Sequence, residues 1–262
     1  MDQKYPNSVK SLVFDTMIKL KDILFEGKPP SIFIPRRIED RVERMIRLYI
    51  RNGSKGDLNL SELNLTVLPE ILKDITVGGS FDCSFNELTS LKNCPKTVGE
   101  SFGCNNNLLT SLINAPSSVG DDFDCSVNKL TSLEGAPSNV PGYFICDNNK
   151  LTSLVGMPKS VGDDFSCNST LLTSLKGSLK TIKGNFHCSN NKLLTSLDGG
   201  PTNVRGNFIC IDNVNLISLH GMPKKVGGNV WCYGNGKKFN YSDFEKVTVI
   251  KGYIKTTTES GI

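Results

Sequence analysis

A cysteine recurs through most of this chain at an almost fixed interval. Cys83, Cys104, Cys125, Cys146, Cys167, Cys188, Cys210 and Cys232 are separated by five steps of 21 residues and then two of 22. The neighbouring residues repeat with it. The unit reads Val-Gly-x-x-Phe-x-Cys-x-x-Asn-x-Leu-Thr-Ser-Leu-x-Gly-x-Pro-x-x, first as Val77 to Leu91 and again from Val98, Val119, Val140, Val161, Ile182, Val204 and Val226. A degenerate earlier copy runs from Leu58 through Leu60 to Leu68-Pro69. A unit this short cannot bury its own apolar face, so the copies must stack and share one core.

Each fixed position has a physical reason. Phe-x-Cys alternates with period two, which sends both side chains inward from a short strand. Leu-Thr-Ser-Leu returns two more side chains to the core, and Gly and Pro shape the outer turn. Asn stands where the chain leaves the strand, and its amide can bond the loop backbones of neighbouring coils. That ladder is Asn86, Asn107, Asn128, Asn149, Asn191, Asn213 and Asn235, with Thr170 in its place in one copy. Nine such strands at about 4.8 Å spacing predict a curved parallel sheet roughly 40 Å long. The extra residues of the two longer steps fall after Asn191 and Asn213, so they should bulge the turn and spare the strand.

The unit fits the leucine-rich pattern L-x-x-L-x-L-x-x-N-x-L with Phe and Cys in two leucine slots. The short Asn-x-Leu-Thr-x-Leu unit followed by Pro resembles the bacterial class of leucine-rich repeats found in YopM- and IpaH-type effectors. The Phe-x-Cys variant also resembles repeats of bacteriophage and bacterial proteins. The resemblance covers about residues 57–235. It implies an α/β-type solenoid: a leucine-rich-repeat horseshoe with a curved parallel β-sheet, a mostly irregular convex side and an N-terminal helical cap. The ligase domain of the IpaH proteins has no counterpart after the last repeat, so the resemblance does not imply their activity.

Three segments are expected: a helical cap over 1–56, the solenoid over 57–238, and a C-terminal cap and tail over 239–262. Apolar Val9, Leu12, Val13, Met17, Leu20, Ile23 and Leu24 predict a first helix, ended by Gly27-Lys-Pro-Pro30. A second, about 36–51, has Ile38, Val42, Met45, Ile46 and Tyr49 on one face and Arg37, Arg41, Arg44 and Arg51 on the other, and stops at Asn52-Gly53. The net charge of +4 conceals an imbalance: residues 1–56 hold 12 Lys/Arg against 7 Asp/Glu, and the remainder 18 against 19. The arginine stripe reads either as a solvated face with local pairs such as Arg36–Asp40, or as a secondary basic site for an acidic partner or a phosphate backbone.

Little in the sequence points to chemistry. Asp2, Asp15 and Asp22 interrupt the start, and no cleavage motif follows, so a secretory leader is not expected. No apolar run approaches the roughly 20 residues of a membrane span. The chain therefore reads as cytoplasmic, in a host cell if viral, with reduced thiols and no membrane partner. Eight of the nine cysteines share the inward slot and read as small apolar packing; Cys94 lies off it and reads as semi-buried packing or a reactive thiol. With only His187 and His220 available, and neighbouring cysteines a coil apart, no metal site, cofactor or catalytic residue is expected.

The strand pattern places the residues around Phe and Cys outward on the concave face. Most are small and polar. The exceptions are Tyr143 and Ile145, Ile209 and Ile211, and Trp231 and Tyr233, the last pair either exposed or covered by the C-terminal tail. Asp122, Asp124, Asp147 and Asp164 make the middle acidic, with His187 beside them, which argues against nucleic acid and for a protein with a basic or mixed apolar surface. The expected function is a non-enzymatic protein-binding module, from the resemblance a modulator of a host protein. The rival readings are a structural or assembly protein that self-associates, and nucleic-acid binding through the arginine-striped helix.

Overall fold

The computed structural model describes residues 38–257, with side chains from residue 41 onward. Over that range the chain is a leucine-rich-repeat-like parallel β-solenoid. Its main sheet has ten strands of two residues each, from Leu58–Asn59 through Phe81–Asp82 and every later Phe-x position to Ile254–Lys255, paired strictly in chain order. The register matches equivalent residues: Phe81 faces Phe102, Phe123 faces Phe144, and Phe208 faces Val230. The two 22-residue steps leave this pairing intact, with Phe186 opposite Phe208, so the extra residue is taken up in the following turn.

The core is the sum of these columns. Seven phenylalanines from Phe81 to Phe208 stack with ring centroids 5.1–5.8 Å apart. The cysteine column and both leucine columns are buried behind them. Burying about 0.8 kcal/mol per methylene, repeated coil after coil, is what offsets the entropy of ordering so many turns. All nine cysteines are free and buried, Cys94 included. Burial pushes the Cys83, Cys94, Cys104, Cys125 and Cys146 thiols well up, and Cys146 Sγ donates to the Ser166 carbonyl at 3.1 Å.

The asparagine ladder bonds coil to coil. Asn107 Oδ1 accepts from the Leu88 amide at 2.9 Å, and its Nδ2 donates to the Cys83 and Cys104 carbonyls at 3.0 and 3.1 Å. At the substituted position the Thr170 hydroxyl donates to Asn191 Oδ1 at 2.5 Å and lies 3.5 Å from the Cys167 carbonyl, while Asn191 Oδ1 also accepts from the Thr170 amide at 2.9 Å.

Three features go beyond the repeat. A second row of two-residue parallel strands precedes the main sheet in each coil, as in Thr76–Val77, Thr97–Val98 and Ser118–Val119. The convex side is thus less irregular than expected. Between the two rows the chain turns at glycines where coils nearly touch: a Cβ on Gly120 would lie 1.8 Å from the Gly99 carbonyl oxygen. Next, the tail supplies a tenth strand, because Ile254 takes the Phe slot beside Val230. Finally, a short helix α2 (Tyr241–Glu245) buries Phe244 against Phe239 where a ninth Leu-Thr-Ser-Leu would lie.

At the other end α1 (Ile38–Arg51) buries Val42, Ile46 and Tyr49 over the first coil. The Tyr49 hydroxyl donates to the Ser54 and Gly56 carbonyls at 2.7 and 3.0 Å and accepts from the Gly78 amide at 3.1 Å. The expected first helix, with Arg36 and Arg37, lies outside the described residues.

Candidate functional site

The concave sheet presents three outward positions per coil: before Phe, between Phe and Cys, and after Cys. Most polar residues there are engaged by backbone. In the first column Asp122 accepts from the Tyr143 amide at 2.7 Å, Asp164 from Asn185 at 2.5 Å, Asn185 from Asn207 at 2.7 Å, Asn207 from Asn229 at 2.7 Å and Asn229 from Tyr253 at 3.1 Å. Each side chain reaches one coil ahead, to an amide just outside a two-residue strand. Such amides need a partner once water is displaced, and a short carboxylate, carboxamide or hydroxyl side chain can supply it. The third column does the same, with Asp147 accepting from the Asn168 amide, Asn168 from Ser189 and Ser189 from Ile211 at 2.7, 2.7 and 3.0 Å. In the middle column Asp82 and Asp124 turn onto the Ser84 and Ser126 amides at 2.9 and 2.8 Å.

The acids singled out in the sequence therefore hold the face together as well as charging it. Asp147 is buried and also bonds the Ser166 hydroxyl at 2.7 Å. Burial raises the pKa values of Asp82, Asp122, Asp124 and Asp147, and Asp124, which also feels Asp147 and Asp82, is pushed up to about 6. His187 is half-buried with Nε2 4.0 Å from Asp164 Oδ2; burial lowers its pKa against the opposing pull of Asp164 and Asp147.

The apolar residues divide. Tyr143, just before the fifth strand of the main sheet, and Ile145 within it are half-buried and keep a solvent-facing surface. Tyr143 stands in the first column, where its ring offers no oxygen near the backbone, and Asp163, Asp164, Asp122 and Asp121 all act on its phenol. Ile209 and Ile211 are only 5% and 6% exposed, because Trp231 lies in register beside Ile209 and Tyr233 follows just after that strand, in the column of Ile211. They form the floor under the aromatics. Trp231 and Tyr233 are themselves half-buried: Trp231 Nε1 donates to the Tyr253 hydroxyl at 3.2 Å, and Lys255 Nζ sits 5.5 Å from the Tyr233 ring centre. The tail thus lies alongside these rings without enclosing them. Tyr233 also lines a hollow of about 330 Å³ with Asn235, Lys237 and Phe239.

Two further residues escaped the sequence reading. The tight turn after each strand takes a left-handed residue, filled by Asn106, Asn148, Asn190 and Asp212 at φ 53–57°. Phe85 and Val127 occupy the same position at φ 52° and are 54% and 42% exposed. A β-branched or aromatic residue is poorly suited to that conformation, and neither gains burial in return. The signal was present as Phe and Val in a column that in the regular copies is otherwise Asn, Asp, Ser and Gly.

On α1, Arg41, Arg44 and Arg51 are exposed, and Arg47 pairs with Glu43 at 2.5 Å. Among the described residues no three His, Cys, Asp or Glu side chains converge as a metal site would require. No described helix is long and apolar enough to cross a membrane.

No protein-family model and no curated protein matches the chain. Among solved structures, the functional domain of InlJ from Listeria monocytogenes, described as including a cysteine ladder, is similar at 20% identity and a TM-score of 0.39. The similarity covers 80% of this chain and 44% of that one, so this chain spans less than half its length.

Proposed function

We propose that this chain is a protein-binding module that seats its partner on the concave face around Tyr143 and Ile145. One observation carries the reading: Tyr143 displaces the small oxygen-bearing side chain that the first column otherwise supplies to the next coil. The fold gains nothing from that exchange, whereas an aromatic ring among Asp121, Asp122, Asp163 and Asp164 suits a lysine or arginine side chain of a partner. Asp122, Asp124, Asp147 and Asp164 give the acidic surround with His187 among them, and Phe85 and Val127, exposed at the turns after earlier strands, add apolar surface. Trp231 and Tyr233, over Ile209 and Ile211, form a second apolar contact nearer the C-terminal end. Rings held on a rigid sheet and rimmed by polar groups are the composition of energetic centres in interfaces. The resemblance to effector repeats supports a host protein as that partner and the host cytoplasm as the place of encounter.

The test separates binding from folding. Tyr143→Asn restores an acceptor to the first column, so it should keep or raise the melting temperature while weakening capture of the partner about tenfold or more. The measurement is quantitative affinity capture from host lysate, comparing wild type with Tyr143→Asn and with Tyr143→Asn plus Ile145→Ser. If both variants retrieve the same protein as well as wild type does, the concave reading is wrong.

A further inference from the structure

The second row of strands changes character half-way along the solenoid. Through the coil of Val161 its outward and flanking positions carry Asp74, Glu100, Asp121 and Asp163 beside Lys96 and Lys159. From there on, segments 180–184, 202–206, 224–228 and 248–252 carry Lys180, Lys183, Arg205, Lys224, Lys225 and Lys251 and no carboxylate. Their strands Thr181–Ile182, Asn203–Val204, Lys225–Val226 and Val249–Ile250 pair in parallel in that order. Ile182, Val204 and Val226 point into the core, which turns the residues on either side outward. All six cations are exposed, and among the described residues none is in an ion pair.

We propose that this basic sheet face is a docking surface for an anionic lipid bilayer. The cations form two rows, with Lys180, Lys224 and Lys225 at the strand starts and Lys183, Arg205 and Lys251 at the strand ends, roughly 10 Å apart along the strands. Four strands at about 4.8 Å spacing give the rows a length of roughly 15 Å. A planar headgroup layer meets both rows at once. The outward positions hold no aromatic ring on which an unpaired base could stack. At the C-terminal edge Val249, in the last strand of this row, and Val247, in the turn that leads into it, are 66% and 41% exposed. A phosphate backbone has no use for them, but the headgroup–acyl boundary would bury them. Lysine-rich faces are drawn to anionic leaflets and released by salt, and a solubilising surface would carry both signs. The carboxylates of the N-terminal coils and of the concave face would be repelled from the same bilayer, which leaves the concave face open to a protein partner. Attachment of this kind needs no spanning helix.

The experiment is cosedimentation of the whole chain with phosphatidylcholine vesicles, with and without phosphatidylserine, at low and physiological salt. Wild type should bind only the phosphatidylserine vesicles and be released by salt. Lys183→Glu, Arg205→Glu and Lys251→Glu together should lower partition by about tenfold or more. The same charge change at Lys129, Lys150 and Lys192, exposed elsewhere, should leave most of it. Val249→Ser should weaken binding a few-fold at every salt concentration. Far-UV circular dichroism verifies that each variant folds. The proposal is overturned if wild type ignores phosphatidylserine at low salt, or if the two triple variants lose partition equally. A gel shift in which wild type binds duplex DNA while vesicles do not capture it would also overturn it in favour of nucleic acid.

Discussion

Replacing Asn128 with alanine tests the coil-to-coil ladder at its most ordinary position. Asn128 Oδ1 accepts from the Leu109 amide at 2.9 Å, and Nδ2 donates to the carbonyls of Cys104, Cys125 and Ser126 at 3.0, 3.2 and 3.1 Å. Truncation removes four hydrogen bonds, yet the loss is smaller than four bonds' worth. Cys104 keeps the Asn107 donor at 3.1 Å, Cys125 keeps Asn149 at 3.0 Å, and Ser126 keeps the Asn106 amide at 3.1 Å. Only the Leu109 amide is left without an acceptor, in a buried setting where an unpaired donor costs about 1–3 kcal/mol. Adding the weaker loss at three carbonyls, the expected destabilisation is about 2–3 kcal/mol. For a chain of this size that lowers the melting temperature by roughly 5–10 °C. Urea unfolding followed by far-UV circular dichroism measures it, with Lys129→Ala, an exposed neighbour, as a control expected within about 0.5 kcal/mol of wild type. If Asn128→Ala matches that control, the Leu109 amide has another acceptor and the ladder does not hold the turns.

Val127→Asn should stabilise the fold by up to about 1 kcal/mol, read by the same unfolding curve, because Asn accepts the left-handed backbone that valine resists. Asp124→Asn should stabilise at pH 7 by about 1–2 kcal/mol, a figure discounted for the solvent reaching this face. The folded-state pKa of Asp124 is raised to about 6, so the wild-type side chain favours folding when protonated and loses that benefit as pH rises between about 4 and 6; unfolding at pH 4 and pH 7 should show the gain only at pH 7. His187 has the opposite sign: its lowered pKa makes wild type lose stability as pH falls below about 6.5, a loss that His187→Gln should remove. The nine thiols should alkylate slowly with iodoacetamide in the native chain and promptly in denaturant, since all are buried; one fast native thiol would contradict the packing.

The repeat made the columns legible, because side chains in the same slot of successive copies must stack. From the spacing alone followed the inward Phe and Cys, the two leucines and the bonding asparagines. How much room each column leaves was not legible. The isoleucines at 209 and 211 sit at outward positions, yet register pairing sets Trp231 beside Ile209 and closes them off. Nor does spacing distinguish a surface aspartate from one that caps the next coil: Asp122 and Asp164 looked like charged contacts, and only the 2.7 and 2.5 Å bonds to the Tyr143 and Asn185 amides reveal the second use. The C-terminal cap reads from the sequence as one or two strands, but that Ile254–Lys255 continues the main sheet was not legible, because neither residue is a Phe or a Cys.

That second use sharpens what the departures mean. If the polar concave residues were merely exposed, an occasional tyrosine among them would be unremarkable, since solvent tolerates either. Because they instead satisfy backbone amides, each exchange for an apolar side chain forgoes a bond the architecture otherwise makes, at roughly 1 kcal/mol. Ile211 recovers that loss by burial at 6% exposure. Tyr143 does not: it remains half-exposed, and partial burial, with the neighbouring carboxylates, disfavours its ionised form. Phe85 and Val127 forgo backbone comfort in the same way, one turn further along the coil. Three residues that each weaken the local rule and recover nothing from the core point to selection by something outside the chain. A partner that fits them should bind wild type more tightly than a variant carrying Asn at all three positions, even though that variant is the more stable protein.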